Sequence, residues 1–450
     1  MRKIVLWVAC VTQVLVVLDA SVMNVALPST RTELGLNETG TAWVALAYTV
    51  GFAGFLLAGA RLADAFGAAR VLAWSVALFT VVSVVGGLAP DGTVLIAARA
   101  VQGVCAAAAS PATFTLLTVT FPEGPQRVRA VAIWTGASLA GGGLGNVLSG
   151  VLTEYVTWRA VLLINLPIGV ITAVGAYALR RRLSGEPRGS VDFLGAVFVT
   201  GVFTAAALAV SSLEPGAPIN MAVTAAIIGL VLLLALIFQQ RRARSPLVPL
   251  RLWRNRAVMA GNGATLLAGA CFQVAIWYFL TFILQREHSY SAATTGLAFL
   301  PLTVTMLAVS TWAAPALLRR YSVRAVAAAG TLIAAFGFGA QAAAMASTSL
   351  PLLLAPTLLI GIGGGLLNTP LATAVTSGVE PADAGAASGV MNTGKQFGGA
   401  IGLAALATLP TTGGGYQTVF FAMMILIAAA GAVSLAIPKP APAEARPAER

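Results

Sequence analysis

The chain reads as an all-α polytopic membrane protein, and three observations carry that reading. Of its 450 residues, 58% are hydrophobic and only 9% are charged, where a soluble domain carries about 25% charge. The mean hydropathy is +0.88. So few charges cannot coat a globule of this size, so much of the surface must face lipid. Backbone polar groups in lipid are satisfied only within helices or closed barrels, and the alternating strands of a barrel give a much weaker hydropathy signal. The same arithmetic excludes a soluble enzyme.

A span needs about 20 apolar residues. On that rule fourteen follow: 4–28, 42–62, 71–89, 94–119, 130–152, 160–179, 193–212, 219–239, 257–284, 297–318, 325–346, 350–375, 386–410 and 417–437. Most connections are short and carry turn chemistry, such as Pro90-Asp91-Gly92. The first segment is not a signal peptide: it is too long, contains Asp19 and Asn24, and ends in Leu27-Pro28 without a small-residue cleavage site. An even number of spans puts both termini on one side. The N-terminus, the loops after even-numbered spans and the C-terminal tail hold 22 of the 27 Lys and Arg residues; the opposite loops hold Arg31, Arg159 and Arg286. That bias predicts cytoplasmic termini. It also accounts for the net charge of +12, so no nucleic-acid partner is expected. Arg outnumbers Lys 24 to 3 in an Ala/Gly-rich chain, which suits a GC-rich bacterial genome and hence a bacterial cell (cytoplasmic) membrane.

Basic stretches at Arg180 to Arg188 and Gln239 to Arg256 bracket spans 7 and 8. The organisation predicted is a six-helix bundle over 1–182, two inserted helices with basic flanks over 183–256, a second six-helix bundle over 257–437, and a disordered Pro/Ala-rich tail over 438–450. A degenerate repeat supports the two bundles. Gly59 to Gly67 after span 2 has a counterpart in Ala314 to Ser322 after span 10, and Ser110-Pro111 in span 4 has one in Thr369-Pro370 of span 12. Parallel repeats of this kind are a transporter arrangement, with the substrate site between the halves near mid-membrane.

Asp19 is the acidic residue well inside a span, where an ionisable group costs at least ~2.5 kcal/mol and marks a functional site by default. Arg99 in span 4 is its basic match. At 1.5 Å per residue, Asp19 lies about 22 Å and Arg99 about 21 Å from the inner surface, so the two share a depth and can pair. Burial disfavours a charged carboxylate and a nearby guanidinium favours it, so a cavity opening and closing around the pair can switch a proton; a purely structural ion pair between spans 1 and 4 is the alternative. In span 5, Ala137, Gly141, Gly145 and Ser149 fall every fourth residue on one face, and Ser138, Gly142, Asn146 and Gly150 on the next. Small residues at that spacing let backbones approach closely and form a sealed, slidable interface; Gly394, Gly398 and Gly402 repeat the pattern in span 13. Asp64, beside cytoplasmic helix ends, can cap a helix and hold a gate, or be a solvated loop charge. Candidate cavity lining comprises Asn24, Tyr48, Gln102, Asn262, Gln273 and Trp277, with Asn368, Asn392 and Gln396 as further polar positions within spans. Cys10, Cys105 and Cys271 lie in apolar stretches and His288 in a loop, so neither a metal site nor a cofactor is expected. No Walker A sequence appears, which removes ATP as the energy source.

These residues resemble the motifs of the major facilitator superfamily, specifically its 14-span drug:proton antiporter family, over most of the chain. Leu18-Asp19-Ala20-Ser21-Val22-Met23-Asn24 resembles the span-1 signature. Gly59 to Arg70, with Gly67 and the acidic centre Asp64, resembles the gating motif between spans 2 and 3, with Ala65 and Ala68 where basic residues are usual. Arg99-Ala100-Val101-Gln102-Gly103 resembles the span-4 motif whose arginine is linked to proton coupling. Gly141 to Gly150 resembles the antiporter motif, with Gly145-Asn146 where Gly-Pro is usual. Trp158-Arg159, Ile164-Asn165-Leu166-Pro167 and Val191-Asp192-Phe193-Leu194-Gly195 are similar to the 14-span branch. The resemblance implies a monomeric exporter, not an enzyme, moving a small amphipathic drug or antibiotic outward by alternating access against inward proton flow. Asp19 and Arg99 would handle the proton, Asp64, Gly59 and Gly67 the inner gate, and span 5 the seal. Uptake by symport, or a non-transporting sensor on the same fold, are the alternatives.

Overall fold

The computed structural model describes residues 1–121, 125–180, 192–213, 219–242, 250–347, 349–377, 379, 384–410 and 415–438. The basic stretch after span 6, part of that after span 8, nearly all of the tail and the side chain of Asp64 lie outside the described residues. Among the described residues there is no strand.

Among the described residues fourteen long helical segments run in sequence: α1 (Arg2–Leu34), α2 (Glu38–Phe66), α3 (Ala68–Gly87), α4 (Gly92–Thr120), α5 (Pro125–Tyr155), α6 (Ala160–Arg180), α7 (Phe193–Ser211), α8 (Ile219–Arg242), α9 (Arg256–Glu287), α10 (Ala292–Leu318), α11 (Val323–Ala344), α12 (Leu350–Thr376), α13 (Ala384–Ala407) and α14 (Gly415–Ser434). Thirteen are long and apolar enough to cross a membrane. The remaining one, α13, carries Asn392, Lys395 and Gln396, which dilute its hydropathy. Side-chain caps mark several starts: Asn37, Asp91, Asp192, Asn255, Ser291 and Ser322 each accept a backbone N–H of the first turn, satisfying donors that the helix itself leaves open.

Four spans differ from their sequence-based outlines. α2 runs on to Phe66, so the backbone at Asp64 belongs to the end of a helix rather than to a loop. α1 passes through Pro28 and ends only at Gly35, whose φ of 61° gives the left-handed cap. α9 is broken where Val274 adopts φ −133°, and its last turn, Ile283–Glu287, is a π-helix. α10 begins at Ala292 and contains a second π turn, Val309–Ala313. Breaks and π turns in spans occur where other groups re-satisfy the backbone. Here Trp277 Nε1 donates to the Phe272 carbonyl at 3.1 Å, beside the break.

The packing has a period of eight helices. Among α1–α6 the main pairings are α1 with α4, α5 and α6, α2 with α4, and α3 with α4 and α6. Among α9–α14 they are α9 with α12, α13 and α14, α10 with α12, and α11 with α12 and α14. Between the two sets, α1 meets α9, α5 meets α10, and α2 meets α13. Glycines make the close approaches possible. A Cβ on Gly59 would lie 2.1 Å from the Ala107 carbonyl oxygen, and one on Gly103 2.2 Å from that of Tyr48, so α2 and α4 touch backbone to backbone. Gly398 and Gly402 of α13 do the same against Leu266 and Ala270 of α9. Gly67 alone joins α2 to α3 and holds φ 86°, which disfavours any residue with a Cβ. α7 packs on α8, α2 and α13, covering the seam between the latter two, and Phe203 of α7 stacks on Phe397 of α13.

Candidate functional site: a buried ion-pair network beside a central cavity

Four helices converge on Asp19. Arg99 Nη1 of α4 donates to its Oδ2 at 2.6 Å. Asn165 Nδ2 of α6 and Gln102 Nε2 of α4 donate to Oδ1 at 2.6 and 3.2 Å. Gln102 also donates to Ser83 Oγ of α3 at 2.7 Å, and accepts from Arg99 Nη1 at 3.0 Å. Tyr48 of α2 adds a face: the Arg99 guanidinium lies 4.4 Å from its ring centroid, and its hydroxyl donates to the Val16 carbonyl at 3.0 Å. Asp19, Ser83, Gln102 and Asn165 are fully buried and Arg99 is 1% exposed. A charge so placed survives only when paired and hydrogen-bonded, and Asp19 meets both conditions with three donors.

Beside this network lies a cavity of about 1350 Å³ between the two six-helix sets. Asn24, Tyr48 and Arg99 line it from one set, and Gln273, Trp277 and Lys395 from the other. Asp19 itself is not part of the lining; its partner Arg99 is. The lining reaches Arg61, Thr115 and Ser388, near helix ends on the side of the chain termini. On the opposite side the sets are tied together. Gln285 Nε2 donates to the Val25 carbonyl at 2.9 Å, Arg286 Nη2 to Thr32 Oγ1 at 3.4 Å, and the Ala293 N–H to Glu154 Oε2 at 2.7 Å. A dense apolar cluster including Leu27, Phe279, Phe282 and Leu284 fills the core there. The cavity therefore opens toward the side of the termini and is closed at the other.

The two small-residue faces of α5 do different things. Gly141, Gly145 and Ser149 lie on α1: a Cβ on Gly141 would meet Val14 at 3.1 Å, one on Gly145 would meet Ser21 at 2.8 Å, and Ser149 Oγ donates to the Val22 carbonyl. The Asn146 backbone and Gly150 press on α10 instead, against Gly296 and Ala292, and Gly142 and Asn146 also line the cavity.

Two candidate lining residues sit elsewhere. Gln102 lies one turn from Arg99 and turns toward α1 and α3, so it belongs to the ion-pair network rather than the cavity wall. Asn262 donates to the Val258 carbonyl of its own helix and is not part of the lining. Several site residues escaped the sequence reading: Asn165 and Ser83 in the network, and Lys395 and Gln13 in the wall. Gln13 links α1 to α5 and α4, donating to Ser138 Oγ at 3.2 Å and accepting from Ser110 Oγ at 3.1 Å. Glu33 was missed too. It accepts from Trp158 Nε1 at 2.7 Å and Arg159 Nη2 at 2.9 Å, while Arg159 Nη1 donates to the Ala89 carbonyl at 2.7 Å, clamping α1, α3 and α6 on the closed side.

Comparison with known proteins gives one consistent answer. The sequence model described as Major Facilitator Superfamily matches residues 9–403, with a second match over 266–450. The chain is 47% identical over 412 residues to a cephamycin export protein of Amycolatopsis lactamdurans, covering 90% of this chain and 84% of that one. It is 36% identical over 405 residues to a puromycin resistance protein of Streptomyces alboniger, covering 89% and 80%. Among solved structures, a peptide transporter superposes with a TM-score of 0.73 at 16% identity, covering 96% of this chain and 94% of the other, a likeness of fold.

Proposed function

The chain belongs to the Major Facilitator Superfamily, whose fold it has and whose members are transporters rather than enzymes, and on that footing we propose that it exports a small amphipathic antibiotic-class compound in exchange for protons. The observation that carries the proposal is the Asp19–Arg99 pair, buried in one half while Arg99 itself lines a cavity walled by both. Relatives aligned over about nine-tenths of this chain are named for antibiotic export or resistance, which supports the substrate class.

In this reading the molecule is two six-helix halves with α7 and α8 inserted between them, acts as a monomer, and spans a bacterial cytoplasmic membrane with both termini inside. The cavity then faces the cytoplasm. Substrate enters it against Tyr48 and Trp277 while Asp19 is ionised and paired. After the halves rock and the substrate leaves outward, a proton reaching Asp19 neutralises the carboxylate and loosens its hold on Arg99. Return to the inward-facing state restores the pair and expels the proton inside. One charge crossing 100 mV supplies about 2.3 kcal/mol, enough for a gradient of more than ten-fold. The contacts of Gln285, Arg286 and Glu154 must break at each outward opening, and the glycine faces of α5 and α13 let the helices move without opening a leak.

The test uses inverted membrane vesicles with a dye reporting an imposed pH gradient. Added substrate should dissipate the gradient in wild type and leave it intact in Asp19→Asn. If a broad antibiotic panel produces no response in wild type although the vesicles bind some of its members, proton antiport is wrong. Proton-coupled accumulation in the opposite sense would establish symport instead.

A further inference from the structure

The cavity wall carries three cations, Arg61, Arg99 and Lys395, and no Asp or Glu among the described residues. Two of the three are accounted for. Arg99 is neutralised from behind by Asp19 at 2.6 Å, and Arg61 stands exposed at the rim, in reach of solvent. Lys395 is not. It lies eleven residues into α13, about 16 Å from the end that carries the cavity mouth, and is half-buried. Its Nζ donates to Asn368 Oδ1 of α12 at 3.4 Å, the outer limit for such a bond, and no carboxylate pairs with it among the described residues.

An ammonium offers three donors, and a cation held within the membrane without a counter-charge is costly unless something supplies one. The surrounding wall shows what fits. Asn392 and Gln396, on neighbouring turns of α13, bring neutral amides, while Phe272 and Trp277 of α9 bring flat apolar surface. A cation, neutral amides and aromatic faces on α9 and α13, lining one cavity, match a carboxylate attached to an apolar body.

We propose that Lys395 is the counter-ion for a carboxylate on the exported compound, so that the substrates are amphipathic organic anions. The inference rests on the export reading and narrows it. It also fits the exchange energetically: an anion moving out and a proton moving in both carry charge in the direction that an inside-negative potential favours.

The test is binding to the purified full-length protein in lipid nanodiscs, with no gradient present, read by quenching of Trp134 and Trp277 in the cavity wall. The probes are benzylpenicillin, fusidic acid and 1-naphthaleneacetic acid, each against its methyl ester. At least one acid should bind wild type about ten-fold more tightly than its ester, the size of a charge-assisted hydrogen bond. Lys395→Gln should abolish that difference by weakening the acid alone, and Lys395→Arg should keep most of it. Unchanged ester binding reports an intact fold, and the wild-type acid-to-ester ratio stands even where a variant cannot be purified. The proposal is overturned if no acid outbinds its ester, or if Lys395→Gln weakens acid and ester alike or neither. Failure of proton-coupled export would look different: discrimination would persist here while the vesicle dye stayed silent.

Discussion

Replacing Asp19 by Asn keeps the shape of the side chain and removes its charge. Oδ2 accepts from Arg99, and Oδ1 from both Asn165 and Gln102. An Asn amide has one acceptor oxygen, so its NH2 must face at least one of these donors. Arg99, 1% exposed, is left without a counter-charge. Unit charges about 4 Å apart attract by about 4 kcal/mol at an effective dielectric near 20, and breaking a buried pair from one side costs about 3–5 kcal/mol. Asp19→Asn should therefore lose about that much stability. Adding Arg99→Gln should return a substantial part of it, since the stranded charge goes with the guanidinium. In a double-mutant cycle followed by reversible unfolding in mixed micelles, the coupling should reach about 2 kcal/mol or more. Neither variant should give a substrate-induced dye response. If the losses of the two single variants simply add, the pair is not what holds α1 to α4. If Asp19→Asn still dissipates the gradient on adding substrate, the carboxylate is not the proton site.

Other expectations follow from single contacts. Gly145→Val should destabilise by about 1–3 kcal/mol, because even its Cβ would lie 2.8 Å from Ser21, whereas Gly136→Ala on the same helix meets nothing within 4 Å and should stabilise by about 0.5–1 kcal/mol through helix propensity; thermal unfolding of the pair separates packing from helix propensity. Thr32→Cys combined with Arg286→Cys, across a contact that ties the halves through the length of an arginine side chain, should be joined by a cleavable bifunctional thiol reagent about as long as that side chain, which should stop transport until cleaved; joining without inhibition would mean this end need not open. Glu33→Gln should cost less than about 1 kcal/mol in chemical unfolding, since Glu33 is 48% exposed and its pairing with Arg159 is screened by solvent. A fluorescent protein fused after Arg450 should mature, and a periplasm-dependent phosphatase fused there should stay inactive, if the termini are cytoplasmic.

What the sequence made legible was what membrane physics makes rare. A charge within a span is costly, so Asp19 and Arg99 stood out at once, and the fixed rise of a helix placed them at one depth; Lys395 is a span charge by the same rule, but nothing in the sequence says that it faces a cavity. The small-residue periods of α5 and α13 were equally plain, because they occupy whole faces and glycine admits contacts no other residue allows. Neutral polar groups were not legible in this way. Asn165, Gln102, Asn262 and Asn392 look alike in a string of letters, yet Asn165 reaches Asp19 while Asn262 and Asn392 bond carbonyls of their own helices. The choice depends on how each helix is rotated about its axis, which tertiary packing decides. The break at Val274 was hidden for a related reason: Cys271-Phe272-Gln273-Val274 contains neither Gly nor Pro, and the distortion is stabilised by Trp277 rather than by a local breaker.

The position of the charges relative to the seam between the halves bears directly on mechanism. Asp19, its donors and the Ser83 hydroxyl that two of them also bond belong wholly to α1, α3, α4 and α6, so that network can keep its internal geometry while the halves rock. Lys395 lies on the far wall. A substrate spanning the cavity would touch Lys395 on one side and Tyr48 on the other, and Tyr48 lies against the guanidinium that holds Asp19. Proton and substrate need not compete for one carboxylate in this arrangement. They can act on opposite ends of a single chain of contacts, Asp19 to Arg99 to Tyr48 to the bound compound. On that logic Tyr48→Ala should uncouple the two, leaving substrate binding within a few-fold of wild type while the substrate-induced collapse of the pH gradient is lost. Loss of both together would instead make Tyr48 a simple binding residue and require a different link between the halves.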